Sequence, residues 1–282
     1  MTTQTIAANP PAEASRLTQL RWALSDCLVV AERTLAHVRR VPERLIDVTL
    51  QPMIFVLLFS YVFGGAIAVR GGSYHDFLMA GIFVQTMTFA ALGTAIGVAD
   101  DLSKGVIDRF RSLPMARSAL LAGRTIADLA AALLGLAVMG ASGLLVGWRI
   151  HHGLGNAVAA CALLILYAYA MSWLGVVLGM VARVPEAVQA IGFMTLFPLT
   201  FVANTFVPAQ TMPHWLRPFT DWNPISAIVA ATRHLLGNER TLVPSSAWPM
   251  QHPIAAALLW IAAILAVCFP LATHLYRTTT RT

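Results

Sequence analysis

The chain has 282 residues, 57% of them hydrophobic and only 11% charged, with a mean hydropathy of +0.69 and a net charge of +6. So little polar material cannot cover a water-soluble domain of this length, and continuous apolar runs exclude an alternating outer-membrane barrel. An all-α polytopic membrane protein remains, because helices satisfy their own backbone groups in lipid; there the basic balance reports where Lys and Arg sit, not a nucleic-acid partner.

Residues 1–15 have no basic stretch followed by an apolar core, and they read as a disordered tail rather than a signal peptide. Over 16–44, Leu17, Leu20, Leu24, Leu28, Leu35 and Val38 recur at three- and four-residue steps, with Arg21, Asp26, Glu32, Arg33 and Arg39 around the rest of the wheel. This segment is too charged to span. It predicts an amphipathic helix lying on the membrane surface, Arg toward lipid phosphates, with a solvated lead-in helix as the alternative.

Six transmembrane helices are predicted within 45–275, near 45–68, 75–98, 121–148, 157–181, 187–207 and 254–275. Polar side chains inside them are few. Asp47 and Asp128 lie near span starts beside Arg44 and Arg124, where structural pairing accounts for them. Gln85 and Asn204 are candidates to touch cargo, and Met87 and Phe89 belong to a flexible, aromatic wall suited to apolar or amphiphilic molecules. The pairs Gly93–Gly97, Gly143–Gly147 and Gly175–Gly179 have the spacing that lets helices approach closely.

Charge concentrates between the second and third spans, in 104-KGVIDRFRSLPMARSALLAGR-124. Val106, Ile107, Phe110 and Leu113 make one face of a short helix, with Asp108, Arg109 and Arg111 at its corners and Pro114 ending it. Such a helix suits a cleft in a soluble protein; equally, a basic loop is the ordinary anchor of a membrane protein. The loop of about 208–253 is longer. Its run Ile225–Leu236 spans about 18 Å as a helix, too short to cross a hydrocarbon core of about 30 Å. It predicts short helices that dip into or rest on the interface, with Trp215 and Trp222 at headgroup depth.

Fourteen Lys and Arg residues fall on the side of the termini and five (Arg70, Arg149, Arg217, Arg233, Arg240) on the other, which predicts cytoplasmic termini, including the tail 276–282. His151 and His152 without a third ligand read as solvated loop residues, and Cys27, Cys161 and Cys268 have no metal-like spacing. No metal or cofactor is expected on this chain. No G-x-x-x-x-G-K-[ST] occurs, so nucleotide phosphates have no cradle here.

The stretches GVIDRFRSLPMAR and AGRTIAD, the later PAQTMPHWLRPFTDWNPISAIVAATR and the six-span plan together resemble the permease subunits of ABC-2 type exporters. The daunorubicin-resistance group of drug and lipid exporters is the most similar. The resemblance covers about residues 16–277. It implies a bacterial plasma-membrane subunit that moves hydrophobic or amphiphilic cargo outward. A separate P-loop ATPase would bind ATP and Mg, and a second permease copy or paralogue would complete a dimer among membrane lipids. It further implies that residues 101–114 form a cytoplasmic coupling helix, with Lys104, Asp108, Arg109, Phe110, Arg111, Leu113 and Pro114 at the ATPase groove. Trp215 and Trp222 are then candidates for an outer gate. The rivals are a secondary transporter driven by an ion gradient, which needs a midplane ion site and internal repeats, and an intramembrane enzyme, which needs a catalytic cluster.

Overall fold

A computed structural model describes residues 42–63, 73–104, 117–238 and 245–279. They form helices α1 Pro42–Phe63, α2 Tyr74–Ser103, α3 Arg117–Val146, α4 Gly153–Ala182, α5 Pro185–Val202, α6 Arg217–Trp222, α7 Pro224–Leu236, α8 Trp248–Gln251 and α9 Pro253–Thr279, with one 3-10 turn at Ala209–Thr211. Among the described residues there is no strand.

The six long helices occur in the predicted order, α1 to α5 and then α9. Five of them are long and apolar enough to cross a membrane, whereas in α1 only the shorter apolar run Leu50–Val62 is described. The boundaries shift for local reasons. α2 runs on to Ser103 because its polar end is bridged by Lys104 Nζ and Asp100 Oδ2 at 2.8 Å. α5 stops at Val202, five residues before the predicted end, where Ala203 turns extended. The predicted surface helix lies almost wholly before Pro42, outside the described residues, as do residues 105–116.

α2 and α4 form the axis of the bundle. Gly175 and Gly179 of α4 sit on the Ala91 and Ala95 carbonyl oxygens of α2, so a Cβ at either would strike backbone. The other two glycine pairs do not pack this way: Gly93 faces open space, and Gly147 (φ 102°) forms the turn after α3. Thr88 donates its proton to Val84 O at 2.7 Å, so Tyr167 is the donor in the 2.8 Å Tyr167–Thr88 bond that ties α4 to α2. Thr94 Oγ1 donates to Asp128 Oδ2 at 2.7 Å, which gives that carboxylate a partner across α2 and α3.

Candidate functional site

Two regions carry polar chemistry, one at each end of α2. At its C-terminal end only the threshold is described. Lys104 and Asp100 are exposed and paired, and Ser103 Oγ donates to Asp100 O at 2.9 Å. Asp108, Arg109, Phe110, Arg111, Leu113 and Pro114 lie outside the described residues.

At the other end, the chain between α5 and α6 forms a strap, residues 203–207, that is unwound yet buried except at Val207. Unwound backbone is tolerated within a membrane protein only where other groups satisfy it. Side chains do so here for several of its groups and for the carbonyls that end α5. Asn223 Nδ2 donates to Leu199 O at 2.8 Å while its Oδ1 accepts from Ile225 N, so one residue caps the end of α5 and the start of α7. Thr220 Oγ1 donates to Val202 O at 2.8 Å. Ser226 Oγ accepts from Asn204 N at 3.0 Å, and Tyr74 OH donates to Phe206 O at 3.4 Å.

The last fastening is Arg233. Its side chain is wholly buried, with Nε and Nη2 donating to Phe77 O at 3.1 and 2.9 Å and Nη2 also to Thr205 O at 3.3 Å. The guanidinium carbon lies 3.6 Å over the Phe77 ring. No carboxylate pairs with it among the described residues. Burial pushes the guanidinium down to about 9, which leaves it a cation at neutral pH. Beside it, Gly81 lies against Thr205 O so closely that a Cβ would collide with the carbonyl.

α7, the short helix that supplies Arg233, is buried nearly all round against α2, α4 and α9. Its far end is pinned too. Gly237 takes φ 80° under His151 and His152, His151 N donates to Leu236 O, and His151 Nδ1 meets Asn238 Oδ1 at 3.0 Å. Both histidines are exposed, in keeping with their reading as solvated loop residues, and His151 also fastens a helix end. Among the described residues, no group of three His, Cys, Asp or Glu is placed to hold a metal ion.

The cargo candidates divide. Asn204 lies in the strap beside Thr205 and the Arg233 contact, whereas Gln85 and Met87 are buried along α2. Phe89 is half-buried and packs on Phe193 with centroids 5.8 Å apart. A ladder of rings runs from Phe55 to Phe59 on α1 (5.6 Å), to Phe206 in the strap (4.6 Å), and to Phe201 (5.4 Å) and Phe197 (4.4 Å) on α5. Trp215 and Trp222 are 70% and 58% exposed, and Phe219 between them is exposed as well. Phe55, Phe59 and Phe197 belong to the aromatic wall read from the sequence, whereas Arg233 was counted only among the loop cations. A lone Arg closing an otherwise apolar helical run, four residues before Gly237, is the signal that was available.

The ABC-2 type transporter family matches residues 25–236, a span that ends at the last residue of α7. The chain belongs to that family. It is 35% identical over 255 residues to the daunorubicin resistance ABC transporter permease protein DrrB1 of Streptomyces coeruleorubidus, covering 90% of this chain and 87% of that protein. It is 29% identical over 213 residues to the doxorubicin resistance ABC transporter permease protein DrrB of Mycobacterium tuberculosis, covering 76% and 74%. With the probable doxorubicin resistance permease DrrC of the same organism it shares 24% identity over 269 residues, covering 92% and 91%. The protein is thus a multi-pass membrane permease of an ABC exporter, and both polar regions belong to a transport subunit.

Proposed function

We propose that this permease carries hydrophobic or amphiphilic compounds, aromatic drugs foremost, out of a bacterial cell, driven by a separate P-loop ATPase that holds ATP and Mg. The observation that carries the cargo class is the phenylalanine ladder. Phe197 and Phe201 remain 48% and 45% exposed on α5, so the rings offer π-faces along a path that continues into the strap. Such faces hold planar aromatic molecules by stacking and by burial of apolar area. Exporters of lipids share those demands, and a lipid is the second cargo in line. A second permease copy facing this wall would turn it into a closed pathway.

Orientation follows from charge. Burial of Arg233 takes it out of the five cations opposite the termini, so the loop bias toward the terminal side is steeper than the sequence count. On this reading residues 101–114 are cytoplasmic and receive the ATPase, and Trp215 and Trp222 stand at the outer surface as an interfacial rim and gate. The test is drug uptake into inverted vesicles that hold the permease with its cognate ATPase. Changing Phe197 and Phe201 together to Ala should lower ATP-dependent uptake of an anthracycline several-fold while the protein remains inserted. Uptake unaffected by the double change, or uptake by the permease without any ATPase, would refute the assignment.

A further inference from the structure

α2 joins the two polar regions directly. It is one continuous helix of 30 residues without an internal proline, about 45 Å from end to end. Its C-terminal end runs straight into the segment assigned to the ATPase. Its N-terminal end is gripped by Arg233 through Phe77 O and pressed against Thr205 O at Gly81. Gly175 and Gly179 bind its middle to α4 without intervening side chains. A shift of α2 along its axis therefore arrives at the strap without slack.

The strap end is also the place where the hydrogen bonding is incomplete. Of five buried polar side-chain atoms without a partner among the described residues, three are Asn204 Oδ1, Thr205 Oγ1 and Arg233 Nη1. The other two are the indole nitrogens of Trp148 and Trp173, each set in edge-to-face aromatic packing. A buried donor or acceptor left unmade is unfavourable, because its bond to water is lost and not replaced. The strap thus holds unmet donors and acceptors beside the single cation that fastens it, so an arrangement that completes those bonds competes with the present one.

We propose that Arg233 is a positioning residue for transport: it fastens the strap and α7 to α2, so that movement of α2 imposed at the ATPase end opens and closes the pathway at the other. This rests on the assignment of residues 101–114 to the ATPase. Arg233 itself touches neither nucleotide nor, in this conformation, the open face of the ladder. Its two carbonyl partners belong to two different moving parts, α2 and the strap, and among the described residues no carboxylate fixes the guanidinium to either. That is the arrangement of a latch rather than of a static ion pair.

The experiment uses the reconstituted permease–ATPase complex and reads cargo moved per ATP hydrolysed. In Arg233→Gln, the ATPase should still co-purify and basal hydrolysis should persist, while cargo moved per ATP falls several-fold. Arg233→Lys, which keeps a cation but loses the forked donor, should fall between the two. Trp173→Leu serves as a stability control, since it thins the packing of α4 on Phe269 of α9, outside the contacts that join α2 to the strap. It should lower the thermal midpoint without changing cargo per ATP in the complexes that survive. An unchanged ratio in Arg233→Gln, or an equal drop in Trp173→Leu, overturns the proposal. If wild-type complex hydrolyses no ATP, or binds none of the ATPase, the functional assignment fails first, and independently of Arg233.

Discussion

The two ends of α2 use cations in opposite ways. Lys104 and Asp100 form an exposed pair four residues apart, of the kind that contributes only tenths of a kilocalorie and leaves its groups open to another partner. At the other end Arg233 is sealed from solvent, has no carboxylate partner among the described residues, and is held by two carbonyls and an aromatic face. On the proposed reading, the first end is open to a partner. The second is committed to internal contacts that break as a unit, because every partner it loses stays buried.

Removing the buried cation should sharpen that contrast most. Arg233→Met strips the partners from Phe77 O and Thr205 O and should cost about 3 kcal/mol, seen as a large drop in the thermal midpoint of the purified permease. Gly81→Ala should cost about 2 kcal/mol, since the new methyl meets the Thr205 carbonyl rather than a movable side chain. Its partner change, Gly93→Ala in the same helix, meets open space and should gain up to about 1 kcal/mol from helix propensity. If the two alanines behave alike in the same melting assay, the close approach of strap to α2 is wrong. Tyr167→Phe removes the donor to Thr88 and should cost about 1 kcal/mol, with the helix order unchanged. Smallest is Lys104→Ala, expected within about 0.5 kcal/mol.

Much of the fold was legible because lipid imposes a simple rule on sequence. The apolar runs give six long helices in the predicted order, five of them of spanning length among the described residues, and the 12-residue run at 225–236, expected to dip into or rest on the interface, packs against α2, α4 and α9. The end of α5 was missed by five residues because Phe201–Val207 is as apolar as the helix before it. What stops α5 is capping by Asn223 and Thr220, more than 17 residues downstream. Arg233 was counted among loop cations for a related reason. A charge reads as solvent-exposed until tertiary contacts supply carbonyls for it, and those come from Phe77 and Thr205, distant in the chain. The glycine pairs show the same limit: three have the spacing, but of these Gly175–Gly179 alone sets both members against a neighbouring backbone, since Gly93 and Gly147 meet open space. Of the site, Asn204 lies where polar contacts gather, but its part in holding a strap was not visible in the fifth-span pattern.

The central claim is that work done by a separate ATPase enters through residues 101–114. Reversing both charges in Arg109→Glu/Arg111→Glu tests it most directly, with membrane insertion, ATPase co-purification and drug-stimulated ATP hydrolysis followed in parallel. The account predicts normal insertion, weakened co-purification and loss of stimulated hydrolysis together with export. Full co-purification and undiminished export by the double variant would contradict it.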